Sequence, residues 1–131
     1  MTNLRPPPNL PPLTDETLWA ILRDELGDDL LNDLLWDSLG YRYDPDNDRW
    51  DLDKVPTTWQ QDYPTPPDFI GSRPATVKLT RSIPAPHKQL LKEELGFPGY
   101  RVDELVPRKT RRATAVNWLL SYRKANTSAT S

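Results

Sequence analysis

Leucines at helical spacing dominate the first forty residues and restrict what the chain can fold into. Leu18, Leu22 and Leu26 recur at every fourth position, which places them on one side of a helix. A second group of apolar residues, separated by three or four positions, follows directly: Leu30, Leu31, Leu34, Leu35 and Leu39. Each stripe must be buried against another element, so the pattern predicts two consecutive helices that share a core.

The flanking residues predict where these helices begin and end. Thr14 is suited to cap the first helix and Asp28 the second, because their side-chain oxygens accept hydrogen bonds from first-turn amides. Gly27 and Gly40 follow the two stripes, and glycine commonly ends a helix because it adopts left-handed backbone angles easily. The two helices are therefore expected to form a helical hairpin or corner.

Aromatic residues flank a turn-forming segment in the middle of the chain. Tyr41–Tyr43 and Arg49–Leu52 are separated by an Asp-Pro-Asp-Asn-Asp string. Alternating aromatic residues on both sides of such a turn predict a β-hairpin over residues 41–52.

The rest of the chain predicts a few further elements. In residues 75–82, Val77 and Leu79 alternate with polar residues, which predicts a half-buried strand. The remaining predictions are a proline-punctuated loop at 55–74, a helix at 84–95, a short strand at 99–105 and a helix capped by Thr110. Together they predict an α+β fold with about four helices and a small antiparallel sheet, for which a winged-helix-like arrangement stays open.

The two ends of the chain differ from its middle. Residues 1–13 contain five prolines and predict a flexible polyproline-like arm, and the polar residues 125–131 predict a disordered tail. Residues 14–124 are then a single domain. Neither a signal peptide nor a membrane span is recognisable, so we expect a soluble, cytoplasmic protein.

The net charge of −2 hides a strong asymmetry between the two halves. Residues 1–71 contain 5 Lys and Arg against 15 Asp and Glu, a balance of −10. Residues 72–131 contain 12 against 4, a balance of +8. This asymmetry indicates either an external charged partner or two halves that neutralise each other within one domain.

Positive charge is densest where the last helix is expected to begin. Cations are unfavourable there because the backbone dipole already makes a helix N-terminus positive. The same place is suited to hold an anion, since free amides and guanidinium groups converge on it. The predicted partner- or anion-binding residues are this cluster, two further cations and one aromatic anchor: Arg108, Lys109, Arg111, Arg112, Lys78, Arg81 and Trp36.

Three kinds of anion fit this cluster: the acidic half of the chain itself, a carboxylate of a partner protein, or a phosphate of RNA or DNA. The acidic pI of about 5.4 and the lack of an RNA-binding motif count against nucleic acid. Internal neutralisation would weaken both external alternatives, and the acids considered for it are Asp28, Asp29, Asp33 and Asp37.

Motifs for catalysis or metal binding are not recognisable in the sequence. The chain has no cysteine, which excludes a disulfide and a thiolate zinc site. Asp44, Asp46 and Asp48 match the first positions of a calcium loop, but Arg49 replaces its glycine and Val55 its final glutamate. The only histidine, His87, has no identifiable catalytic partner in the sequence. We therefore predict no enzymatic activity, no cofactor and no bound metal.

Several strings resemble a small family of cyanobacterial and plastid proteins that is known only as a domain of unknown function. The likeness extends over most of residues 10–123 and is carried by LPPLTDETLWAILRDEL, LGYRYDPDNDRWDL, RPATVKLTRSIP, KQLLKEELGF and RKTRRATAVNWLLSY. The resemblance implies a protein of an oxygenic photosynthetic organism, and it brings no catalytic residue with it.

The residues and the resemblance together lead to one functional expectation. We expect a non-enzymatic interaction module, an accessory or assembly factor of a photosynthetic organism that docks on an acidic protein surface. The alternative is binding of RNA or DNA through the basic residues 108–112.

Overall fold

The computed structural model describes residues 10–104 and 106–130. These residues form six α-helices and one two-stranded antiparallel sheet, which confirms the predicted α+β class. In chain order the elements are α1 (Asp15–Leu22), α2 (Asp28–Leu39), β1 (Arg42–Asp44), β2 (Arg49–Asp51), α3 (Thr57–Asp62), α4 (Arg73–Ser82), α5 (Leu90–Leu95) and α6 (Pro107–Thr130). Residues 1–9, which hold most of the predicted proline-rich arm, lie outside the described part of the chain.

Helix α6 is the element around which the others assemble. Its fully buried face contacts α1, α2, α4 and α5 and consists of Ala115, Val116, Leu119 and Leu120. The helix begins at Pro107 rather than after a cap at Thr110, because proline loses no hydrogen bond at the first helical position. It continues to Thr130 and so includes residues 125–130, for which the sequence predicted a disordered tail.

The first two helices form as predicted, but their ends differ. The Thr14 hydroxyl caps α1 by accepting a hydrogen bond from a first-turn amide (3.2 Å). Helix α1 then ends at Leu22, well before Gly27, because Asp24 adopts a left-handed φ of 63° and turns the chain. Gly27, not Asp28, is the N-cap residue of α2. The Asp28 carboxylate is thereby free to reach α6.

The predicted β-hairpin is confirmed. Strands β1 and β2 pair in the register Arg42 with Asp51, Tyr43 with Trp50 and Asp44 with Arg49. Trp50 lies edge-on to Trp36 of α2, with 5.8 Å between the ring centroids. This aromatic contact fastens the hairpin to the helical core.

The strand predicted for residues 75–82 is wrong, because this segment belongs to α4. Ser72 caps the helix by accepting a hydrogen bond from the Ala75 amide (3.4 Å), and Pro74 lies in the first turn. The buried residues Ala75, Thr76 and Leu79 follow helical rather than alternate spacing. The Thr76 hydroxyl lies 2.5 Å from the Phe69 carbonyl oxygen and 3.1 Å from the Ser72 carbonyl oxygen, so this buried polar group has acceptors within the protein.

Three other segments also depart from the predicted elements. The strand expected at 99–105 is wrong: Val102–Glu104 is a 3-10 turn, and Leu105 lies outside the described residues. The helix expected at 84–95 is divided into a 3-10 turn at Ala85–His87 and α5, since its prolines cannot donate backbone hydrogen bonds. The loop at 55–74 contains the short helix α3.

The end of α2 provides a stability test at Gly40, which has a φ of 106°. A Cβ at this position would lie 2.4 Å from the Lys54 carbonyl oxygen. We expect Gly40→Ala to lower the free energy of unfolding by about 1–3 kcal/mol or more, measured by urea denaturation. Gly27→Ala is the matched control, because a Cβ there meets nothing within 4 Å. Equal losses in the two variants would contradict the prediction.

Candidate functional site

Two of the predicted cations, Arg108 and Arg112, are neutralised by the chain itself. Nη1 and Nη2 of Arg108 donate to the two carboxylate oxygens of Asp24 at 2.9 and 2.8 Å. Its Nε donates to Asp28 at 3.0 Å. The hydrogen bond from Arg108 holds the pKa of Asp24 below its ordinary value, and the bonds to Asp24 and Asp28 raise the pKa of Arg108.

Arg112 is the most deeply placed charged group of this cluster, with 1% of its surface exposed. Its Nη1 donates to Asp28 Oδ1 at 2.5 Å. Its Nη2 donates to the carbonyl oxygens of Ile21, at 3.0 Å, and of Leu26. A buried guanidinium group is tolerated only when acceptors surround it in this way, because its desolvation is otherwise strongly unfavourable.

These contacts explain why cations stand near the start of a helix. Since α6 begins at Pro107, Arg108 lies in its first turn and Arg112 in its second, and the carboxylates of Asp24 and Asp28 offset the unfavourable backbone dipole there. Asp28 lies in the first turn of α2, where that dipole favours a carboxylate. Among the anions considered, the acidic half of the chain is thus the partner of Arg108 and Arg112. The pairing of Asp24 with Arg108 was not predicted from the sequence.

The other residues of the predicted cluster also make contacts within the protein. Arg111 donates through Nη1 to the Ile70 carbonyl oxygen (3.0 Å). The Lys109 amine lies over the Tyr100 ring, 5.7 Å from its centroid. The half-buried Trp36 donates its Nε1 hydrogen to the Pro67 carbonyl oxygen (2.6 Å). These side chains therefore contribute to packing between α2, α6 and the adjoining loops.

Lys78 and Arg81 lie elsewhere, in an open groove between α3 and α4 with a volume of about 1090 Å³. We call it the α3–α4 groove. Its charged and apolar walls include Asp62, Tyr63, Arg73, Val77, Lys78 and Arg81. Trp36, Arg108 and Arg111 border a separate depression, so the predicted residues do not form one continuous surface.

Arg73, the third cation of the groove, was not predicted from the sequence. Arg73, Val77 and Arg81 are four residues apart, which places them on one side of α4. The buried residues Ala75 and Leu79 occupy the opposite side. A strand would also place residues 77 and 81 on one face, but together with the buried Leu79, so the predicted strand did not separate the exposed side of this segment from its buried side.

The three cations of the groove differ in their surroundings. The Lys78 amine is 2.7 Å from Asp62 Oδ2 and lies 5.0 Å from the centroid of the Trp59 ring. Arg73 and Arg81 are exposed. Within the described part of the chain, neither of them has an ion-pair or hydrogen-bond partner. Positive charge in this groove is therefore available to an incoming anion.

His87 and the acidic side chains are the remaining metal-binding or acid–base groups among the described residues. Among them, no three His, Asp or Glu side chains come together in a way that is able to hold a metal ion. The Nδ1 atom of His87 is 2.8 Å from the hydroxyl of the buried Ser121 in α6. The His87 carbonyl oxygen accepts a hydrogen bond from Asn117 (3.1 Å). These two contacts attach the 3-10 turn at Ala85–His87 to α6.

No helix in the described ranges has the length and apolar character needed to cross a membrane.

Comparison with known proteins identifies the family. The family described as "Domain of unknown function (DUF1823)" matches residues 12–124. The chain belongs to this family. A solved structure, described as "Solution NMR structure of the protein", is 67% identical and superposes with a TM-score of 0.78. The match covers 87% of this chain and 95% of that one. No curated protein matches the chain.

The buried ion pair of this DUF1823 chain leads to a stability prediction. Arg112→Met removes the guanidinium group and leaves the acceptors of Ile21 and Leu26 without their donor. We expect a loss of about 3–5 kcal/mol in the free energy of unfolding, measured by urea denaturation. Arg108→Gln is the control, and we expect a loss of about 1 kcal/mol or less because that side chain is 42% exposed. Similar losses in both variants would contradict a special role for Arg112.

A second prediction concerns acid stability. Hydrogen bonds from the Gly71 amide, Asn32 and the Ile70 amide hold the pKa of Asp68 below its ordinary value of 3.8. A lowered pKa stabilises the folded state at pH values above 3.8, and this contribution is lost as the pH falls through the folded-state value. The unfolding free energy of the natural protein should fall between pH 6 and about pH 3, and we expect it to fall less in the Asp68→Asn variant.

The control for this experiment is Asp53→Asn, at an exposed carboxylate. Urea denaturation across the pH range measures both variants. A pH dependence that Asp68→Asn leaves unchanged would contradict the prediction.

Proposed function

We propose that this protein is a non-enzymatic interaction module that docks on an acidic surface of a partner protein through the α3–α4 groove. The observation that carries the proposal is the pair of exposed arginines, Arg73 and Arg81, on one side of α4. Arg108 and Arg112, by contrast, already have carboxylate partners within the chain.

The charge of the groove supports an acidic partner. Three basic residues line it, against one acidic residue, Asp62. The one acidic residue is engaged with Lys78, so the net potential of the groove is positive. Opposite charges on a partner would increase its association rate and fix its orientation, although exposed ion pairs add little to affinity individually.

Apolar surface in the same groove supports a protein rather than a simple ion as the partner. Tyr63 and Val77 are half-buried there, and their exposed parts lie among the cations. An apolar centre with charged residues around it is the usual anatomy of a protein interface. Tyrosine and arginine are also among the residues that contribute most to binding energy.

The biological setting is part of the proposal. The resemblance to cyanobacterial and plastid proteins supports an accessory or assembly factor acting in the cytoplasm of a photosynthetic organism. The contacts of Arg108 and Arg112 with Asp24 and Asp28 count against the alternative, nucleic-acid binding at residues 108–112. The experiment below therefore distinguishes a protein partner from a nucleic-acid partner.

Site-specific photocrosslinking tests the proposal. The crosslinking residue benzoylphenylalanine replaces Gln61, which is exposed in the groove, or Gln89, which is exposed elsewhere. In an extract of cells that contain the protein, we expect an adduct from position 61 only. Mass spectrometry should place the crosslink in an acidic segment of the captured protein, and Arg73→Glu with Arg81→Glu should abolish the adduct.

Three outcomes would contradict the proposal. The first is an adduct that survives the two charge reversals, and the second is equal capture from both positions. The third is an adduct that disappears on nuclease treatment, which would favour nucleic-acid binding.

A further inference from the structure

Two aromatic side chains of α6 adjoin one end of the α3–α4 groove. Ser82, the last residue of α4, lines the groove. Its hydroxyl accepts a hydrogen bond from Trp118 Nε1 (2.9 Å) and donates one to the Leu79 carbonyl oxygen (2.7 Å). The Tyr122 ring stacks on the Trp118 ring, with 5.7 Å between the centroids and 11° between the planes. Ser82 therefore joins the groove to these two rings, which we call the Trp118–Tyr122 pair.

The Trp118–Tyr122 pair lies beside the core rather than within it. The two residues are four positions apart on α6, which places them on one side of the helix. Both are half-buried, so part of their surface is accessible to another molecule. The hydrogen bond to Ser82 and the stacking contact hold the rings in place before any partner binds. Such a preorganised aromatic surface loses little conformational entropy on binding, and tryptophan and tyrosine are frequent anchors of protein interfaces.

The pair has a chemistry that the charged groove lacks. Arg81, an exposed cation of the groove, directly precedes Ser82. Exposed ion pairs contribute little to affinity individually and act mainly on association rate and orientation. Burial of apolar surface contributes affinity in proportion to its area. A partner that binds the arginines through carboxylates therefore gains affinity if it also places an apolar side chain on the Trp118–Tyr122 pair.

The stacking geometry favours an aliphatic side chain over a nucleobase as the occupant. Bases bind aromatic residues by stacking on an open ring face. The Trp118 and Tyr122 rings face each other, so one face of each is already covered. An aliphatic side chain has no such requirement, because it also contacts ring edges favourably.

We propose that the Trp118–Tyr122 pair is the apolar anchor of the docking surface. It receives an aliphatic side chain of the same partner protein whose carboxylates bind Arg73 and Arg81. This inference rests on the proposed function, because it extends the same surface and specifies its partner further. It adds a requirement for an apolar residue close to the acidic ones.

Titrations of the full chain with synthetic peptides test the inference, followed through backbone amide and tryptophan indole NMR signals at low ionic strength. Two ten-residue peptides of equal charge are needed. Both contain four glutamates. In the first peptide two leucines stand among the glutamates, and in the second peptide serines replace the leucines.

The leucine peptide should bind about five- to tenfold more tightly than the serine peptide, as expected for partial burial of one leucine side chain. It should also shift the indole signal of Trp118, which the serine peptide should leave nearly unchanged. Trp118→Ala and Tyr122→Ala should each remove most of the leucine advantage and leave affinity for the serine peptide unchanged. Tyr122→Ala keeps the hydrogen bond between Trp118 and Ser82, so it tests the anchor even if loss of Trp118 disturbs α4.

Trp19→Ala is the matched control. Trp19 is half-buried and contacts another aromatic ring, that of Phe97, but it does not line the groove. The leucine advantage should persist in this variant. An advantage that also persists in Trp118→Ala and Tyr122→Ala would overturn the proposed anchor.

The remaining outcomes separate this inference from the proposed function. Equal binding of the two peptides, weakened by Arg73→Gln and Arg81→Gln, would overturn the anchor and leave the acidic docking groove in place. If neither peptide shifts the signals of α3 and α4, both proposals fail. A ten-nucleotide uridine RNA that shifts the Trp118 indole signal and binds more tightly than the leucine peptide would overturn both in favour of nucleic acid.

Discussion

The arrangement of α1, α2 and α6 depends on the contacts of one buried guanidinium group, that of Arg112. It reaches from α6 to the carbonyl oxygens of Ile21 and Leu26 and to the carboxylate of Asp28. These acceptors belong to the end of α1, the connection that follows it and the start of α2. One side chain thus holds the corner between two helices against a third, in a place where an apolar residue would leave those acceptors without a donor.

The ion pair of Arg112 also accounts for part of the uneven charge distribution between the two halves of the chain. The acidic first half and the basic second half meet at Asp24, Asp28, Arg108 and Arg112, and a further pair joins Arg123 to Asp15. Part of the asymmetry therefore serves folding. Charges that already pair within the chain are less available to a partner, so a binding surface is expected among exposed cations outside these pairs.

The α3–α4 groove meets that requirement because its cations lie on a side of α4 that faces away from the core. Helix α4 contacts α6 and buries Ala75 and Leu79, while Arg73 and Arg81 are exposed. The same amphipathic helix thus contributes to stability on one side and to the proposed recognition on the other. The Lys78–Asp62 pair links the groove to α3, which contributes its aromatic wall.

The sequence by itself determined the elements whose signals are local. The leucine stripes of α1 and α2, the cap at Thr14, the glycine at position 40 and the turn of the hairpin all act between residues close in the chain. The segment 75–82 was assigned wrongly, because the alternation of Val77 and Leu79 favours a strand. The local helix signals are short, a cap at Ser72 and Pro74 in the first turn, and burial of Ala75 and Leu79 at helical spacing supports the helix.

The candidate site shows the same division between local sequence signals and tertiary structure. The density of cations predicted that the start of α6 needs an anion, but Asp24 and Asp28 lie 84 and 80 positions before Arg108 in the sequence. Which charges pair internally and which remain exposed is set by long-range folding, and no local pattern encodes it. The sequence therefore determined that the charges exist, and the tertiary structure decided which of them are available.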